Sequence, residues 1–119
     1  MIARISVLAL ISVLVLGGLF LVLHPDPPAA TPAPRSFDVE IRDGAMSPEE
    51  VSVRKGDRVK MSLTSDSPVE IHVHGYDLER EVEPGGPTEI SFEADLTGRF
   101  PVEDHETESE LGVLVVEPR

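Results

Sequence analysis

Cysteine is missing from all 119 residues. That excludes disulfides, thiolate nucleophiles, zinc–thiolate and iron–sulfur sites, and lipid attachment through cysteine. An exported domain of this kind holds together by packing alone. Tryptophan is also absent, and the aromatics are four Phe and one Tyr. Stacking platforms for bases or sugars are therefore not expected. Positive charge is scarce: 10 Lys and Arg stand against 22 Asp and Glu, for a net charge of −12. From Ser36 onward the count is 8 against 21, or −13. A field of that sign repels nucleic acid and anionic lipid headgroups. It attracts cations, so a divalent metal ion and a basic protein are the expected kinds of partner, and nucleic acid is not. The same acidity also serves solubility. No Gly-rich phosphate loop is present, and no Ser sits in a G-x-S-x-G context. The chain reads as a non-enzyme.

One long apolar run stands at the start. Ile5 to Leu23 is 19 residues without a charge. As a helix it would span about 28 Å, close to the hydrocarbon thickness of a bilayer. Arg4 before it favours a cytoplasmic N-terminus. The run is longer than the core of a usual secretory signal, and His24-Pro25-Asp26-Pro27-Pro28 follows it. An uncleaved transmembrane anchor at 1–23 is thus favoured over a cleaved signal peptide. In either case the remainder is exported. The expectation is a single-pass protein of the cell membrane whose C-terminal domain lies outside the cytoplasm, periplasmic or extracellular. Residues 24–35 form a linker, since Pro25, Pro27, Pro28, Pro32 and Pro34 favour extended polyproline II. It reaches up to about 35 Å.

Residues 36–119 form the domain, and its pattern is all strand. Phe37, Val39 and Ile41 alternate with Asp38, Glu40 and Arg42; Val51 and Val53 alternate next. Val59, Met61 and Leu63 follow a Gly56-Asp57 turn. Leu78 to Val82 reads as a short strand, Ile90 and Phe92 alternate after Pro84-Gly85-Gly86-Pro87, and Leu111 to Glu117 is the last strand. Seven or eight short strands at roughly ten-residue spacing predict an antiparallel β-sandwich or barrel. No internal repeat is visible.

The most informative strand is Val69-Glu70-Ile71-His72-Val73-His74, closed by Gly75. Side chains on a strand alternate between faces, so Val69, Ile71 and Val73 share one face and Glu70, His72 and His74 the other. His72 and His74 then stand about 7 Å apart at Cα, pointing the same way. That spacing suits two imidazoles on one metal, and it equally suits two polar residues on a wet face. Tyr76 is expected to plug the sandwich end and Met46 to plug the core. The run Glu103 to Glu110 lacks the Gly bend of a calcium loop and reads as a solvated acidic loop.

Three stretches in order, MSPEEVSVRKGDRVKMSLTSDSP, HVHGYDLEREVEPGGPTEISFEADLTGRFPVEDH and LGVLVVEP, resemble the cupredoxin-like domains of bacterial envelopes. The resemblance covers about Phe37 to Pro118. It implies a Greek-key sandwich, with the upstream strand and the last loop meeting at one end. In copper-carrying members an upstream His, a Cys, a second His and usually a Met bind the metal. Here the upstream position falls on His72 or His74. The Cys position falls near Asp104, the downstream His is His105, and the Met position falls near Leu111.

The chain therefore departs from the family's blue-copper pattern. A blue site depends on a copper–thiolate bond, and no thiolate is available. What the resemblance leaves is a set of nitrogen and oxygen donors: His72, His74 and His105, with Glu70, Glu103 and Asp104 assisting. Imidazole with carboxylate suits Cu(II), Zn(II) or Ni(II), and Cu(II) binds tightest in the divalent series. Copper of a non-blue kind is the expected cofactor. The other reading of the same residues is a metal-free interaction module that meets a basic partner through its acidic face.

Overall fold

The computed structural model of the protein describes residues 2–23 and 31–119. Helix α1 spans Ile2–Leu23, as the apolar, charge-poor run predicts. Crossing of a membrane, expected above, is not supported at this level. Among the described residues no helix is long and apolar enough to cross one. Residues 24–30, most of the expected linker and with it His24, lie outside the described residues.

The rest is strand. β1 (Pro34–Arg42), β2 (Ala45–Ser47), β3 (Glu50–Arg54) and β4 (Arg58–Ser65) form the first half of the domain. β5 (Val69–Val73), β6 (Leu78–Val82), β7 (Thr88–Glu93), β8 (Gly98–Asp104) and β9 (Ser109–Glu117) form the second. Nine strands are thus present among the described residues, where seven or eight were expected. One that periodicity hides is β2: three residues are too few to show alternation, and it exists by pairing back on β1, with Met46 opposite Ile41. β1 begins at Pro34, so Pro34 and Arg35 lie opposite Arg58 and Val59 of β4.

The strands make two sheets, ordered β2-β1-β4-β7 and β3-β9-β8-β5-β6. The expectation of a purely antiparallel sandwich needs correcting. β1 runs parallel to β4, and β3 parallel to β9. The chain passes to the second sheet after β2 and returns to the first after β3. Strands consecutive in sequence therefore often lie in different sheets, and several neighbours within a sheet, such as β1 and β4 or β3 and β9, come from further along the chain. Local alternation carries no information about that choice.

Alternation does decide what lies inside. Val39 and Ile41, Val51 and Val53, Val59, Met61 and Leu63, and Val69, Ile71 and Val73 all face the core and are buried. Met46 joins them, as expected. Tyr76 closes one end: its ring meets Phe92 and Phe100, and its hydroxyl donates to the Leu96 carbonyl at 2.7 Å and accepts from the Leu96 N–H at 3.0 Å. Burial raises the Tyr76 phenol above its ordinary value, and Asp95 adds to this, against the opposing Leu96 hydrogen bond.

The base of the sandwich is held by one fully buried carboxylate. Asp57 accepts the N–H groups of Ala33 and Arg54, both at 3.0 Å, and pairs with the guanidinium groups of Arg119 and Arg35. Burial by itself would raise this carboxyl. The two N–H donors and two cations outweigh it, and Asp57 sits below the ordinary carboxylate value. Arg119 also donates to the carbonyls of Thr31 and Lys55 at 2.8 Å. The entry to β1 and the exit from β9 are thereby tied to the same turn.

Candidate metal centre

β5 lies between β8 and β6 in the five-stranded sheet. Its inward residues are the buried valines and isoleucine; Glu70 and His72 point outward and are half-buried. Directly opposite residues of paired strands share a face. On β6, Glu79 is the partner of His72 and Glu81 the partner of Glu70. On β8, Glu103 is the partner of His72. His72 thus sits at the centre of a row, with a carboxylate on each side.

His105 reaches this row from the next turn. β8 carries a register shift between Val102 and Glu103 and ends at Asp104. The chain then stays alongside β5, where the His105 N–H donates to the Glu70 carbonyl at 2.8 Å. The rings of His72 and His105 meet edge to face with centroids 5.7 Å apart. One ligand atom each from His72, Glu79 and His105 lie within 4.8 Å of one another. Donors about 2.1 Å from one tetrahedral ion stand about 3.4 Å apart, so modest side-chain rotation would close the set on a metal. Glu79 and His105 are exposed and His72 half-buried.

The other expected donors are placed differently. His74 lies close to His72, with ring centroids 4.6 Å apart, but its Nε2 is 2.7 Å from Oε2 of Glu103. Those two groups engage each other. Asp104 accepts the Glu106 N–H and the Thr107 hydroxyl, both at 3.1 Å, and so shapes the turn into β9. Glu70 lies one row away, opposite Glu81. The three histidines gather on the outer face of the sheet, whereas the family resemblance implied a meeting at the sandwich end.

Glu79 is the donor that reading by motif does not single out. Its place opposite His72 follows from the four residues 74–77 that join β5 to β6, with Gly75 and Asp77 at positive φ. Once Gly75-Tyr76 is taken as the centre of the turn, counting outward from it finds Glu79 opposite His72. Cross-strand register, not proximity in sequence, carries the signal.

A blue-copper centre does not fit these residues. There is no cysteine, the carboxylate near the Cys position is engaged in its own turn, and Leu111 at the Met position is buried in the core. The remaining set is two imidazoles and a carboxylate, the donors of a divalent N/O site.

A profile of the cupredoxin-like domain matches residues 12–116, and the chain belongs to that family. No curated protein matches it in sequence. Solved structures show the same fold. An apo copper-binding protein superposes with a TM-score of 0.62 at 16% identity, over 75% of this chain and 93% of that one. The metal-binding domain of a Cu(I)-exporting P-type ATPase of Streptococcus pneumoniae gives 0.62 at 13% identity, covering 74% and 90%. A chain of a heme-copper terminal oxidase dimer gives 0.60 at 17% identity, covering 97% and 99%.

Proposed function

We propose that the protein is an exported cupredoxin-like domain that binds one divalent metal ion, Cu(II) before others, through His72, Glu79 and His105. The observation that carries this reading is the convergence of three N/O ligand atoms within 4.8 Å. They come from three separate elements: mid-β5, β6 and the β8–β9 turn. The net charge of the domain favours cation capture, and the copper proteins that share its fold support the choice of metal. His74 is assigned no ligand role, because Glu103 already engages it. The uncharged run Ile5–Leu23 supports a membrane anchor that leaves the domain outside the cytoplasm. The reading is of a binding protein, not an enzyme.

The test is a Cu(II) titration of the full chain in detergent micelles against a competing chelator. One equivalent should bind. Outer-shell partners of metal ligands are already worth about 10–100-fold in affinity, so His72→Ala or His105→Ala should weaken binding by at least about 100-fold. Glu79→Gln should weaken it less than either. Equal affinity in the urea-unfolded chain would overturn the reading.

A further inference from the structure

Three protein donors do not fill the coordination sphere of Cu(II) or Zn(II), which take at least four ligands. Among the described residues, no fourth His, Asp or Glu joins the set within the same distance. The groups best placed to do so are engaged elsewhere. His74 Nε2 is held by Glu103, and Asp104 by the Glu106 N–H and the Thr107 hydroxyl. The set also lies on an outer sheet face, with two of its three residues exposed. The remaining position therefore points at solvent, not at a hydrophobic wall.

We infer that the loaded site keeps one exchangeable position, where a nitrogen donor of another molecule, an imidazole, replaces water. This rests on the metal reading above and goes beyond it. The step is ligand exchange: the imidazole lone pair forms a bond to the ion, one water leaves, and no electron changes hands. A protein histidine entering this position would hold the ion jointly with His72 and His105. Such a shared state is the intermediate by which a metal passes directly from one protein to another without release into solution. A closed storage site of four protein ligands would not admit it.

The experiment uses the full chain loaded with one equivalent of Cu(II) and then titrated with free imidazole. The readouts are the visible d–d band and the nitrogen hyperfine pattern in the electron paramagnetic resonance spectrum. The expected result is saturable addition of one imidazole: the band moves to shorter wavelength, the pattern changes from two nitrogens to three, and copper stays with the protein on gel filtration. His74→Ala should respond as the wild type does. Loaded protein whose spectra do not change overturns the inference while leaving metal binding intact. So does copper stripped by imidazole without a ternary spectrum, or an imidazole response gained only in His74→Ala. Failure to load any copper overturns the metal reading, and the inference falls with it.

Discussion

His74 Nε2 lies 2.7 Å from Glu103 Oε2, and both side chains remain partly exposed, by 44% and 26%. A contact this open between an imidazole and a carboxylate is worth at most about 1 kcal/mol. In the proposed function it occupies two groups that would otherwise compete for the ion. His74→Ala should therefore destabilise the chain by less than about 1 kcal/mol in urea unfolding. It donates no hydrogen bond to a proposed ligand, so Cu(II) affinity should change by less than about tenfold, below the effect of removing a group that hydrogen-bonds a ligand. Chelator competition on His74→Ala and His72→Ala side by side checks the contrast.

Asp57 should dominate the acid response. Its carboxyl titrates lower in the folded chain than in the unfolded one, because two N–H donors and two guanidinium groups outweigh the cost of burial. Its stabilising contribution is fully present above the ordinary value of 3.8 and is lost as pH falls through the lower folded value. Asp57→Asn removes the charge from a buried pair and cannot accept both N–H groups as well. At neutral pH it should cost about 3 kcal/mol. Between neutral pH and about pH 3 the gap between variant and wild type should narrow, since the wild type loses what the variant never had. Urea midpoints at both pH values measure it.

Gly112 has no room for a methyl group. A Cβ there would come within 2.5 Å of the Glu49 carbonyl oxygen and of the Met46 sulfur. That carbonyl accepts the Val113 N–H at 2.9 Å and cannot retreat without breaking the bond. Gly112→Ala should cost about 3 kcal/mol, the upper end for overpacking. Met46→Ala empties a core position and should cost about 2–5 kcal/mol alone, but less in the Gly112→Ala background, because there it also removes the clash with the sulfur though not with the carbonyl. Thermal unfolding of the single and double variants distinguishes the two contacts.

Glu70 and Glu81 face each other across β5 and β6, a like-charge pair that destabilises a sheet. Glu81 also shares a hydrogen bond with Glu83, which, together with slight desolvation and repulsion from Glu81, holds the Glu83 carboxyl above its ordinary value. Glu81→Lys should stabilise the chain by about 0.5 kcal/mol, seen as a melting point higher by a few degrees. It should also weaken Cu(II) binding modestly through its opposite charge. A stability gain with an affinity loss would mark the carboxylate as kept for the ion.

The strands were readable because burial enforces alternation. Val69, Ile71 and Val73 face inward for the reason their spacing suggests, and His72 faces outward for the same reason. Pairing was not readable. Nothing local to Phe37 says that it will lie beside Met61 in a parallel ladder, or local to Ser52 that it will lie beside Val115. The site divides along the same line. His72 and His105 were visible as residue types in suggestive places. Glu79 became a donor only when the hairpin register set it opposite His72. Asp57 looked like a turn residue, and its burial depends on Arg119, 62 positions away.

β6 is the last strand of its sheet, and among the described residues no strand lies along its other side. An open edge of this kind invites pairing with another chain unless charge discourages it. Glu79, Arg80 and Glu81 occupy the middle of β6 in succession. The carboxylate proposed to grip a metal thus belongs to a row that also guards against aggregation. Neutralising Glu79 and Glu81 together would weaken both roles at once, and self-association would then accompany weaker copper binding.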